Sequence, residues 1–282
     1  MSTTYQPSSN AESLMSTAPS STNNRTAIVT GAGSGIGAAV AHKLATDGFQ
    51  VGVLDIDANS AADVAKGIRD AGGQATAAPV DVSDEEQFNA AVDSVCGNFG
   101  PVAVMVNNAG ILDGYQDVDE IALLAWKRVM DIDINGVFLG CKRALRDMLP
   151  ANSGRIINMA SIAGLNGTGG GAAYVAAKHA VVGLTRQMAV VYGARGITSN
   201  CVCPGVIPTN LRANTQTALG NTIANTVARG IATTDEQVAA LVPVQVRGSA
   251  EDIANAVAFL ASDAAGYING HSLVVDGGLR AK

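Results

Sequence analysis

From Arg25 onward, apolar and polar positions fall into a regular alternation. Short runs that are apolar at most positions read as strands: TAIVT (26–30), QVGVLDID (50–57), QATAAPVDV (74–82), VAVMVNNAG (102–110), GRIINMAS (154–161), GITSNCVCPG (196–205) and HSLVVDGG (271–278). Between them lie longer stretches at helical spacing: 38–49, 58–72, 85–100, about 119–149, 172–193 and 250–266. Strands without a polar face, alternating with helices, predict an α/β fold built on a doubly wound, mainly parallel sheet with helices on both faces. One region breaks the rhythm. Residues 206–248 hold about forty positions with no clear strand, a length expected of a substrate lid or binding loop.

The first 24 residues, rich in Ser, Thr and Asn, lack the apolar stretch of a secretory signal and read as a flexible polar tail. Residues 25–282 then read as one Rossmann-like catalytic domain. No apolar run is long enough to span a bilayer, so the expected location is the cytoplasm, with no membrane partner. Aromatic content of 4% and a net charge of −6 speak against nucleic acid. Cys96, Cys141, Cys201 and Cys203 form no metal-binding spacing, and His42, His179 and His271 stand apart in sequence. Buried free thiols and no metal are expected. Cys201 and Cys203 alternate with Val202, which puts both on one strand face.

Residues 30–37, TGAGSGIG, place Gly31, Gly35 and Gly37 between the first strand and its helix. Such a turn lets backbone N–H groups approach a pyrophosphate at the helix N-terminus. Asp55 ends the second strand, where a carboxylate accepts both ribose hydroxyls and repels a 2′-phosphate. With no Lys or Arg in the turn or directly after Asp55, the cofactor expected is NAD.

Tyr174 and Lys178 share one face of the AAYVAAKHA helix segment. With the glycine turn, DV (81–82), NNAG (107–110), Ser161 and PGVIPT (204–209), in that order, the chain resembles the short-chain dehydrogenase/reductase family from about residue 25 to its end. The resemblance implies a seven-stranded sheet, nicotinamide-linked hydride transfer, and a homodimer or homotetramer. It assigns Ser34 and Ile36 to the phosphate turn, Asp81 and Val82 to the adenine, and Asn108 to the length of the cofactor. Ile207 and Thr209 would hold the carboxamide, and Ser161, Tyr174 and Lys178 would be catalytic.

The chemistry is coherent. A free phenol, with a pKa near ~10, is a poor base at neutral pH, and an adjacent ammonium favours phenolate. Lowering that value by two or three units takes roughly 3–4 kcal/mol, which a partly desolvated Lys178 and a positive nicotinamide are expected to supply. Lys178 also reaches ribose hydroxyls in the family. Ser161, at a strand end, would stabilise charge on the substrate oxygen. The small residues of helix 172–193 suit close packing between subunits.

One position departs from the family. Where relatives carry an asparagine three residues before a glycine, this chain has Asp133 before Gly136. That asparagine helps hold a water linking the lysine to solvent, and a carboxylate there adds charge beside Lys178. The fourth catalytic role is therefore not transferred. The expected substrate is a secondary alcohol or ketone, cyclic and hydroxylated compounds included. A 3-oxoacyl thioester reductase and a non-catalytic nicotinamide-binding regulator are the alternatives. Arg212, Arg229 and Arg247 lie in the 206–248 segment with no direction assigned by sequence.

Overall fold

The expected strands all form. In the computed structural model, which describes residues 25–220, 230 and 234–281, they are β1 (Thr26–Thr30), β2 (Gln50–Asp55), β3 (Gln74–Pro79), β4 (Val102–Asn107), β5 (Gly154–Met159), β6 (Ile197–Pro204) and β7 (Ser272–Val275). Their order is β3–β2–β1–β4–β5–β6–β7, and every pairing is parallel. The expected polar tail lies outside the described residues.

Alternation along each strand divides the core into two layers. Ile28, Met105, Ile156, Cys201 and Cys203 face one layer with Phe88, Met148 and Val181. Ala27, Val29, Val104, Val106, Ile157 and Val202 face the other with Leu44, Ile68 and Val257. The first layer is closed by helices α3 (Glu85–Phe99), α5 (Gly136–Ala151) and α6 (Ala172–Tyr192). The second is closed by α1 (Gly35–Thr46), α2 (Ala58–Asp70) and α9 (Ala250–Ala261). This is why the strand segments carry no polar face. Cys201 and Cys203 share one face, as their alternation requires, and the four cysteines are free thiols.

Two segments differ from expectation. The helix expected over about 119–149 resolves into α4 (Leu123–Met130), one π-helical turn (Asp131–Asn135) and α5. The wider turn carries Asp133 into the interior, where it is fully buried. The 206–248 segment is not structureless. It contains α7 (Leu211–Leu219) and α8 (Asp235–Leu241), the latter begun by a Thr234–Gln237 capping box. Their polar composition hides them: only Thr215 and Leu219 of α7, and Val238 of α8, are buried.

The strand order reverses between β1 and β4, so their C-terminal ends diverge and open a crevice. The glycine turn, the NNAG segment and Ser161 follow β1, β4 and β5 into that crevice.

Candidate active site

The glycine turn is shaped by contacts that exclude side chains. Gly31 and Gly35 have φ of +61° and +53°, conformations that favour glycine. A Cβ on Gly37 would collide with the Gly31 carbonyl. Asn108 braces this turn from the neighbouring strand, its Nδ2 donating to the Thr30 and Gly31 carbonyls at 2.9 and 3.1 Å. Thr30 Oγ1 accepts in return from the Asn108 and Ala109 N–H groups at 2.9 and 3.0 Å.

Asp55 closes the turn from β2. Its Oδ2 accepts from Gly33 N–H at 2.8 Å and its Oδ1 from Asp57 N–H at 3.0 Å. A Cβ on Gly33 would come within 2.9 Å of that carboxylate. Gly33 was not singled out by the motif, and only the folded contact with Asp55 reveals it. Further along, Asp81 is held by Ser83 and by Arg128, whose Nη2 stands 2.9 Å from Asp81 Oδ2. Burial works against the Asp81 carboxylate, but these partners hold it below the usual range.

Every site residue named from sequence lines one cavity of about 690 Å³: Gly31, Ser34, Gly35, Ile36, Gly37, Asp55, Asp81, Val82, Asn108, Ser161, Tyr174, Lys178, Ile207 and Thr209. The cavity suits a dinucleotide. The N-terminus of α1 opens into it, and Ser34 there makes no side-chain cap. Asp57, Asp84 and Ser249, by contrast, cap α2, α3 and α9 with their side chains. The N–H groups of α1 are thus presented to an anion.

At the other end lie Tyr174 and Lys178, on consecutive turns of α6. Lys178 Nζ sits 5.3 Å from the centroid of the Tyr174 ring and donates to the Met159 carbonyl at 3.2 Å. A buried polar relay fixes the helix against the sheet. Asn107 donates to Asn158 at 2.8 Å, and Asn158 donates to Thr185 of α6 at 2.9 Å. Ser161 caps a short 3₁₀ turn, its Oγ accepting from Ala163 N–H at 3.1 Å.

Asp133 completes the group. Its Oδ2 lies 3.0 Å from Lys178 Nζ and its Oδ1 accepts from Ile111 N–H at 2.8 Å. A Cβ on Gly110 would stand 3.0 Å from that Oδ2 and 3.3 Å from Lys178 Nζ, so a bare backbone seals the pair. Burial opposes the Lys178 charge, yet the Asp133 carboxylate outweighs it and raises the ammonium above its ordinary value. Burial also pushes the Asp133 carboxyl above its usual range, against the pull of Lys178 and the Ile111 N–H; we take the pair as ionised, because Oδ2 faces the Lys178 ammonium and Oδ1 accepts a backbone N–H.

The electrostatics add an opposing effect to the expected one. Lys178 does pull the Tyr174 phenol downward, and so does Ser161, but burial pushes harder and Asp133 adds to it. The net direction in this structure is upward. Sequence spacing identified the ammonium and could not register the desolvation around it.

Asp113 is a further residue that sequence reasoning missed. It is fully buried. Its Oδ1 accepts from Tyr115 and Gly171 N–H, and its Oδ2 from Tyr174 N–H, each at 3.0 Å. The carboxylate therefore caps the N-terminus of α6 from another part of the chain. It fixes the backbone of Tyr174 itself.

A second cavity of about 390 Å³ meets the first at Ser161 and Tyr174. Arg212 and Arg247 line it, which supplies the direction that sequence lacked; Arg229 lies outside the described residues. Among the described residues, no group of His, Cys, Asp and Glu is arranged to hold a metal ion. None of their helices is long and apolar enough to cross a membrane.

The family model described as enoyl-(acyl carrier protein) reductase matches residues 31–280. The chain is 42% identical to cis-4-hydroxycyclohexanecarboxylate dehydrogenase of Sinomonas cyclohexanicum, covering 91% of this chain and 97% of that protein. It is 38% identical to cyclohexanol dehydrogenase of Acinetobacter sp. (strain SE19), covering 92% and 96%. Among solved structures, levodione reductase superposes with a TM-score of 0.81 and 33% identity, covering 92% of this chain and 98% of the other.

Proposed function

Because the chain belongs to the short-chain dehydrogenase/reductase family, we propose that it oxidises a secondary alcohol with NAD, or reduces the ketone, through Ser161, Tyr174 and Lys178. The observation that carries this reading is the position of Ser161 and Tyr174. They stand where a dinucleotide-sized cavity meets a smaller one.

When bound, the nicotinamide ring takes up or returns the hydride. The chain's own work is binding and proton handling. Tyr174 Oη takes the hydroxyl proton in oxidation and returns it in reduction. Lys178 steadies the phenolate by its charge, and Ser161 Oγ donates to the substrate oxygen as charge develops there. The uncapped N-terminus of α1 receives the pyrophosphate. Asp55, anchored by Gly33 N–H, accepts the ribose hydroxyls, which supports NAD over its 2′-phosphorylated counterpart. Asp81, Val82 and Asn108 line the path between, and Ile207 and Thr209 flank the carboxamide end.

The relatives named as dehydrogenases of cyclohexanol and of a hydroxycyclohexanecarboxylate favour a compact ring-bearing alcohol over an acyl thioester. We also read residues 25–282 as one catalytic domain that works in the cytoplasm as a homodimer or homotetramer. Exposed Phe138 on α5 and Val190 on α6 support a subunit contact on that side. Initial rates with NAD⁺ and NADP⁺ over a panel of secondary alcohols test the reading. Turnover with NAD⁺ and a ring alcohol is expected. Tight NADH binding with no turnover of any alcohol would instead support a binding protein.

A further inference from the structure

The dehydrogenase reading above, on which this inference rests, names the groups that bind and react but not what holds the wall beside them. That wall is α7. Leu211 lines both cavities, and Asn214, Thr217 and Ala218 line the larger. Arg212, its guanidinium carbon 4.8 Å from the centroid of the Tyr115 ring, lines the smaller. One nine-residue helix therefore borders the dinucleotide space and the alcohol space together.

Little apolar surface holds α7 there. Its apolar anchors are Leu211, partly buried against the cluster of Leu112, Ala163 and Tyr174, and Leu219 at the far end. A helix this short is marginal by itself and depends on tertiary contacts. Thr215 supplies a polar contact between those anchors. Its Oγ1 accepts from Leu112 N–H at 2.8 Å and donates to the Leu211 carbonyl at 2.7 Å. Thr215 and Leu112 are 2% and 6% exposed, so bulk water does not compete for the bond between them.

The point of attachment gives this bond its consequence. Leu112 sits between two residues that serve the reacting groups. On one side, Ile111 N–H donates to Asp133, the partner of Lys178. On the other, the Asp113 carboxylate accepts Tyr174 N–H. Three consecutive residues after β4 thus hold the lysine's carboxylate, the wall of both cavities and the backbone of the phenol. Successive Cα atoms stand about 3.8 Å apart across rigid peptide planes, so these three attachments keep a fixed register.

We propose that Thr215 is a positioning residue: its hydroxyl docks α7 beside both ligands and so sets their affinity. Thr215 itself lines neither cavity. Loss of the hydroxyl leaves the Leu112 N–H buried without its acceptor, which favours the undocked helix. The effect falls on binding more than on the chemical step. Tyr174 and Lys178 are held from elsewhere, by Asp113 and by Asp133 with the Met159 carbonyl.

The test compares the full chain with Thr215→Val, which keeps the side-chain shape without the acceptor, and Thr215→Ser, which keeps the hydroxyl. Fluorescence titration with NADH or NADPH, whichever binds the parent more tightly, reads affinity with no alcohol present. The dissociation constant should rise about tenfold in Thr215→Val and stay within about threefold of the parent in Thr215→Ser. In turnover, KM for the alcohol should rise in Thr215→Val while kcat stays within about threefold. A merely structural role would instead lower kcat through loss of folded enzyme and leave both affinities in place.

A parent-like dissociation constant in Thr215→Val would overturn the proposal, as would a Thr215→Ser chain that binds as weakly as Thr215→Val. Amide exchange of the parent, free of cofactor, needs no variant. Protection is expected at the Leu112 amide, and exchange there as fast as in an exposed loop would equally overturn it. Weakened dinucleotide binding in Thr215→Val with no turnover of any alcohol by the parent would sink the dehydrogenase reading and leave the role of Thr215 standing.

Discussion

Asp133 Oδ2 stands 3.0 Å from Lys178 Nζ, and the two side chains are 0% and 4% exposed. The ammonium that serves Tyr174 is therefore shared with a fixed negative charge. In a buried site that charge is screened less than it would be at the surface. It secures the protonated lysine and at the same time opposes ionisation of the phenol.

Replacing that charge should move the pH profile. The groups facing Tyr174 are Lys178, Asp133, Ser161 and Tyr115, with the Asp113 carboxylate at its backbone. Asp133→Asn removes a negative charge while Lys178 stays positive, so phenolate becomes easier to form. The acid limb of kcat/KM for alcohol oxidation should shift to lower pH. A limb that stays in place, or moves upward, would show that Asp133 does not act on Tyr174 through its charge.

Asp55 offers a selectivity test. Its carboxylate is pinned between the Gly33 and Asp57 N–H groups at the mouth of the turn. Asp55→Ala removes both the ribose acceptor and the repulsion toward a 2′-phosphate. The ratio of kcat/KM for NAD⁺ over NADP⁺ should fall by about tenfold or more. An unchanged ratio would mean that selectivity resides elsewhere, and Arg128, tied to Asp81 at 2.9 Å, would be the next residue to change.

Asp113 should matter for both stability and rate. Asp113→Ala leaves three backbone N–H groups without their acceptor in a fully buried setting. Each such loss costs about 1–3 kcal/mol before any relaxation. Thermal unfolding should shift downward by roughly 5–10 °C. In the chain that remains folded, kcat should drop more than the affinity for NADH, because Tyr174 is displaced and the glycine turn is not. Asp113→Asn, which keeps one acceptor oxygen, should fall between. Parent-like kcat in the alanine variant would remove the positioning role.

Much of this was legible before the fold was known, and the reasons are physical. The strands announce themselves because both faces are covered, so TAIVT and the CVC run carry no polar partner face. Tyr174, Lys178 and the glycines are legible because local spacing alone sets their geometry. What sequence could not express were contacts across the chain. Asp113 caps a helix that begins 59 residues later, at Ala172, and nothing near it in sequence signals this. Gly33 matters only because Asp55 folds back onto it. Arg212 acquires a direction only when Tyr115 lies beneath it. The upward displacement of the Tyr174 phenol depends on burial, a property of the assembled core.

Transfer of label reads the central claim most directly. The full chain is incubated with cyclohexanol deuterated at the carbinol carbon and NAD⁺, beside Tyr174→Phe, and deuterium in the reduced cofactor is measured by mass spectrometry. The account predicts deuterated cofactor from the parent chain and at least a hundredfold slower transfer in the variant, with NADH still bound. Transfer of label at the parent rate by Tyr174→Phe would contradict it.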